Sequence, residues 1–135
     1  MGSKKLIDVV GDVGAFHDAF GIKNRAKPTG QLKQKEWMLR YKLMREENEE
    51  YLEAAENGDL VEIADALGDM LYILCGTIIE HGMQDKIEEV FNEIQRSNMS
   101  KLDEDGQPIY REDGKVLKGP NYFKPDIASI LNKKK

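Results

Sequence analysis

The chain has 135 residues, 33% charged and 40% hydrophobic, and 25 acidic against 20 basic side chains leave a formal net charge of -5. That length gives one domain with a real core, and the acidic balance argues against a nucleic-acid or membrane-surface binder, whose footprint would be basic. The one cysteine excludes an internal disulfide framework and fits a reducing compartment.

After Met1-Gly2-Ser3-Lys4-Lys5 the apolar stretch is too short for a secretion signal, so a cytoplasmic protein is expected. Leu6, Val9, Val10, Val13, Phe16, His17 and Phe20 repeat with a helical period that Gly21 ends. His17 has no second histidine at ligand spacing; a packed, hydrogen-bonded residue is its first reading and a metal ligand its second. Ile22 to Lys33 has no apolar period and predicts a loop, with Lys23, Arg25 and Lys27 solvated by default although within reach of a phosphate.

On the next helix Leu39, Leu43, Glu46 or Glu47, Glu50 and Ala54 run down one face, so an apolar stripe changes to carboxylate partway along. Glu49 and Glu53 lie further round, beside Lys42 and Arg45, and read as solvated or ion-paired. Asn57-Gly58-Asp59 breaks the pattern, and Asp59 can cap a helix starting at Leu60, which predicts an antiparallel helix pair. From Leu60 to Ile79 the chain is apolar on nearly every side, the pattern of a helix buried all round. Against that background Glu62, Asp65, Asp69 and Tyr72 recur at spacings of three and four and form one polar stripe. Buried acids need partners, and a bound cation is the ordinary remedy. The same acids argue against a membrane span. Cys75 reads as a reduced core residue, while Ala64, Gly68 and Gly76 mark a face where a neighbouring backbone can come close.

His81-Gly82 closes that helix. A fourth helix is predicted from Gln84 to about Met99, with Ile87, Val90, Phe91 and Ile94 on its apolar face. From Lys101 the texture changes: Asp103 to Gly106 and Arg111 to Gly114 are turn signals around short extended pieces, predicting a hairpin-like appendage over 101–124 within a single domain of 1–135. The acidic run lacks the order of a calcium-binding loop, and Gly114 to Gly119 is followed by Pro120 where a P-loop needs Lys. Asp126 to Leu131 predicts a short final helix.

With these residues in place the chain resembles the all-α nucleotide pyrophosphohydrolases, the superfamily of MazG, phosphoribosyl-ATP pyrophosphohydrolase and dimeric dUTPase, marked by EExxE on one helix and ExxD on the next. Here these are Glu46, Glu47 and Glu50, then Glu62 and Asp65; the stretch from Ala66 to Asp69 lacks the first acid and is not the one aligned. Phe16-His17-Asp18-Ala19-Phe20-Gly21 and the segment from Arg96 to Phe123 look like a phosphoribosyl-ATP pyrophosphohydrolase-like subgroup.

The resemblance implies an all-α bundle of four to five helices with the hairpin-like appendage, its core completed in a homodimer or a dimer of dimers. It implies a hydrolase that splits a (d)NTP to monophosphate and pyrophosphate, with phosphoribosyl-ATP hydrolysis or a catalytically silent helical dimer module as alternatives. Mg²⁺, with Mn²⁺ as a substitute, suits oxygen ligands and shared phosphates. Glu46, Glu47, Glu50, Glu62 and Asp65 are the expected metal ligands, with Asp69 and His17 as additional candidates. Glu47 is the expected catalytic base. Asn98, Lys101, Lys118, Asn121 and Tyr122 are assigned by the resemblance to the substrate side.

Overall fold

The computed structural model describes residues 3–133. Five helices follow one another: α1 Leu6–Ala19, α2 Gln34–Glu56, α3 Leu60–Glu80, α4 Ile87–Met99 and α5 Ile127–Asn132. Among the described residues the only β pairing is an isolated antiparallel bridge between Tyr110 and Val116, so the class is all-α. The chain forms two compact units, Met1–Asp85 and Lys86–Lys135.

In the first unit α3 packs against both α2 and α1. The turn between α2 and α3 forms as the sequence predicts: Gly58 takes a left-handed φ of 62°, and the Asp59 carboxylate accepts the Glu62 amide proton at 3.2 Å. That satisfies one of the free N–H groups at the start of α3. The starts of α1 and α2 are tied differently, by acids reaching back, with Asp8 accepting from the Lys5 amide and Glu36 from the Lys33 amide. The apolar centre consists of Val10 and Val13 of α1 with Cys75 and Ile79 of α3.

The loop between α1 and α2 is held down rather than simply solvated. Arg25 donates its amide to Ile79 O at 3.1 Å, and Thr29 donates to His81 O at 2.7 Å. The Arg25 guanidinium donates to both Glu36 oxygens, at 3.0 and 2.9 Å, and to Glu80 O. Gly82, at φ 69°, sits so close to this loop that a Cβ would lie 2.0 Å from Lys27 O. Gln84 donates its side-chain amide to Arg25 O, and α4 begins three residues later than its sequence period predicts, at Ile87.

Two expectations for α3 change. Leu60, Val61, Leu67, Leu71 and Leu74 are exposed within the single chain, Leu60 by 78% and Val61 by 75%, so α3 is not buried all round by its own chain. Gly76 does not mark an approach of another backbone: a Cβ there would lie 2.6 Å from Arg40 Nη2 and 2.8 Å from His17 Nε2, both side chains of this chain. Gly68 has open space beside it.

In the second unit α4 and α5 pack together. Ser97 Oγ donates to Phe123 O at 2.8 Å, the Asp126 amide donates to Glu93 at 2.7 Å, and the Arg96 guanidinium lies 4.4 Å from the centre of the Phe123 ring. The hairpin-like piece exists: Leu117 N–H donates to Ile109 O and Arg111 N–H to Lys115 O around Gly114, whose φ is 89°. No described helix is long and apolar enough to cross a membrane.

Candidate metal and hydrolase site

The facing surfaces of α2 and α3 carry the acids. Glu47, Glu50 and Asp69 each bring a carboxylate oxygen to within 4.8 Å of the others. Their positions follow from helix geometry. Glu47 and Glu50 lie three apart on one face of α2, and the antiparallel return of α3 sets Asp69 opposite them.

The electrostatics of the three are mutually unfavourable without a cation. Burial, reinforced by Glu50 and then by Asp69 and Asp65, pushes the Glu47 carboxyl up from 4.5 to about 7. Burial, with Asp65 and Glu50 beside it, raises Asp69 as well. Oε2 of Glu47 is buried with no hydrogen-bond partner among the described residues. A buried acceptor left this way is costly, and a converging set of carboxylate oxygens is the donor set of a hard divalent cation. These residues therefore fit such an ion.

A stability effect arises from the direction of these shifts. An acid whose folded pKa exceeds its unfolded value binds more protons when folded, so rising pH destabilises the fold across that window. In chelator, the melting temperature is expected to fall as pH rises from 4.5 through about 7, and Glu47→Gln should flatten that slope. Equal slopes in wild type and Glu47→Gln would remove Glu47 from the cluster.

The expected ligands are distributed unevenly. Glu50 belongs to the cluster and also lines a cavity of about 400 Å³ that Glu53, Asp59, Glu62 and Asp65 share. Asp65 is close enough to act on the charge of Glu47 and Asp69. Glu62 lines the cavity and does not join the three-acid cluster. Glu46 is exposed and lines a separate cavity with Lys42, Arg45, Glu49 and Glu50. Asp69, held as an additional candidate, stands among the three. His17 is 2% exposed, with Nδ1 2.8 Å from Asn24 Oδ1, and is a packed, hydrogen-bonded residue.

The residues expected on the substrate side all lie in the second unit. Asn98 is exposed on α4, Lys101 is half-buried, and Asn121 is exposed. Lys118 Nζ lies 4.8 Å from the centre of the Tyr122 ring. Gly119 between them is pressed against the Lys101 and Leu102 carbonyls, 2.7 and 2.5 Å from where a Cβ would sit.

A buried pair on the same two helices escaped the sequence reading. Arg40 Nη1 lies 2.8 Å from Glu80 Oε2, with side chains 7% and 6% exposed. Arg40 also donates to Thr77 Oγ1 and Ile73 O, both at 3.1 Å. Arg40 interrupts the α2 apolar stripe three residues before Leu43, and Glu80 closes an apolar run; those two breaks were the available signal.

An all-α chain with a carboxylate cluster across a helix hairpin has the form of a helical hydrolase whose acids could hold a metal ion. The family model described as PRA-PH, phosphoribosyl-ATP pyrophosphohydrolase, matches residues 13–98. The chain belongs to this family and is a hydrolase acting on phosphoric anhydrides. Among curated proteins none matches it. Among solved structures it is similar to the crystal structure of a "putative NTP pyrophosphohydrolase" from Exiguobacterium sp. 255-15, at 26% identity and a TM-score of 0.49, over 91% of this chain and 93% of that one.

Proposed function

We propose that the protein is a Mg²⁺-dependent nucleoside triphosphate pyrophosphohydrolase, cleaving (d)NTP to (d)NMP and pyrophosphate. The observation that carries this reading is the convergence of Glu47, Glu50 and Asp69 with one Glu47 oxygen buried and unpartnered. Glu47, Glu50 and Asp69 would hold the ion, with Asp65 beside them. When bound, Mg²⁺ supplies charge neutralisation at the phosphates and polarises the bond to be broken.

The chain's own part is to place a water and take its proton. Glu47 is the proposed acceptor, because its carboxylate stands in the cluster with Glu50 and Asp69 and can take a proton from a water held there. The water oxygen bonds to the α-phosphorus, the bond from that phosphorus to the α,β-bridging oxygen breaks, and pyrophosphate leaves with the electron pair.

The family description names phosphoribosyl-ATP, which contains the same triphosphate linkage and is the second reading. A panel of common and modified (d)NTPs together with phosphoribosyl-ATP, assayed with and without Mg²⁺ or Mn²⁺, separates the two. Cleavage of phosphoribosyl-ATP alone would replace the first reading by the second, and no cleavage of any member would overturn both.

The exposed leucine face of α3 is proposed to meet the same face of a second copy, since pairing of two helix hairpins makes a four-helix core. Light scattering that finds an active monomer of 15.4 kDa would end that proposal.

A further inference from the structure

The charges of α2 run against the helix's own dipole. From Gln34 to Arg45 it carries four bases and one acid, and from Glu46 to Glu56 six acids and no base. A helix is stabilised by acids in its first turn and bases in its last, so within a single chain this order is unfavourable. Arg40 turns inward to Glu80, and Glu47 and Glu50 belong to the acid cluster. On the outer side Lys35, Lys42, Glu49 and Glu56 are all exposed, and their spacing of seven makes each drift only about 20° from the one before. None of these four is in an ion pair among the described residues. Two cavities, of about 670 and 480 Å³, share Lys42 as a lining residue and continue one another along this line, from Lys35 to Glu49.

We propose that this outer face of α2 docks on the same face of a second copy, antiparallel, with Lys35 opposite Glu56 and Lys42 opposite Glu49. A two-fold axis passing between Arg45 and Glu46 produces both pairings at once, each of them twice. The same axis brings Leu52, 52% exposed, beside the half-buried Met38 of the other copy on one flank, so apolar contact accompanies the charges. Parallel pairing would set lysine on lysine and glutamate on glutamate, whereas the antiparallel pair opposes the signs and the two helix dipoles together. Each exposed ion pair contributes little by itself; the part of the charges is to choose partner, direction and register. The charge order that is unfavourable in one chain is therefore the order that fits a second copy. The proposal depends neither on the hydrolysis reading nor on the leucine face of α3.

The test is charge exchange in the full chain, read by analytical ultracentrifugation. Leu71→Glu serves as the background, because a charge in the leucine face of α3 removes that face from association, and each variant is checked for an unchanged helical spectrum. In that background a dimer is expected, falling to monomer as salt rises from about 0.1 M to about 1 M and the screening length shrinks from about 10 Å to about 3 Å. Lys42→Glu alone and Glu49→Lys alone should each be monomeric at low salt, since each sets like charges opposite one another. A one-to-one mixture of the two should return the dimer, because every opposed pair is then one acid and one base. Lys42→Glu combined with Glu49→Lys in one chain should return it as well. If Leu71→Glu does not fold, the same series in wild type is read as a halving of mass and its recovery.

Equal mass at low salt for Lys42→Glu, Glu49→Lys and their shared background would overturn the proposal. So would single variants that dissociate and a mixture that stays monomeric, because the charges would then act within one chain. If Lys42→Glu paired better with its unsubstituted background than with Glu49→Lys, the helices would run parallel and the proposed docking would be wrong. A folded Leu71→Glu background that is monomeric at every salt concentration would leave the leucine face as the contact between copies and overturn it too.

Discussion

Asp69→Asn is expected to remove Mg²⁺-dependent turnover, with a loss greater than the about 10–100-fold typical when only an outer partner of a metal ligand is lost. The substitution keeps the size of the side chain and removes the charge that faces Glu47 and Glu50 within 4.8 Å. It also relieves repulsion, since Asp69 is one of the groups holding Glu47 high. Thermal stability in chelator should therefore rise while activity disappears, an opposition that a folding defect would not produce. The matching control is Glu46→Gln, on the exposed side of α2 with Lys42 and Arg45, which should leave turnover near wild type. If Glu46→Gln abolished activity and Asp69→Asn did not, the cluster would be the wrong acids.

The contrast between these two residues shows where sequence is a good guide and where it stops. The helix pair was legible because its signals are local: apolar periods, the Asn57-Gly58-Asp59 break, and the Asp59 cap that is now seen accepting from Glu62. A carboxylate stripe on each helix was legible for the same reason. Which acids meet across the pair depends on the axial offset and rotation of two helices, a tertiary quantity that no single stripe contains. The sequence motif favours Glu62 and Asp65, whereas packing brings Asp69 to Glu47 and Glu50 and leaves Glu62 lining the adjoining cavity.

Glycine and arginine positions were misleading for a related reason. Gly76 suggests a close backbone neighbour, but the space above it is taken by Arg40 and His17 of the same chain. An arginine within an apolar stripe has no local signature that distinguishes a long side chain reaching solvent from one turned inward. Only its partner, forty positions further along the sequence at Glu80, settles the matter.

That partner makes Arg40→Met the substitution with the largest expected cost in stability. It leaves the Glu80 carboxylate, 6% exposed, without its cation, and breaking one side of a buried pair costs about 3–5 kcal/mol. A domain of this size has only about 5–15 kcal/mol in hand, so a large fall in melting temperature is expected, and added Mg²⁺ should not restore it. Arg40→Met combined with Glu80→Leu removes both charges and should regain most of the loss, because apolar replacement of a whole buried pair is often neutral or stabilising. Chemical denaturation of the two variants beside wild type decides the point. A loss in Arg40→Met within the surface range of about 0.5 kcal/mol would mean that Glu80 reaches water, and the buried pair would not be what joins α2 to α3.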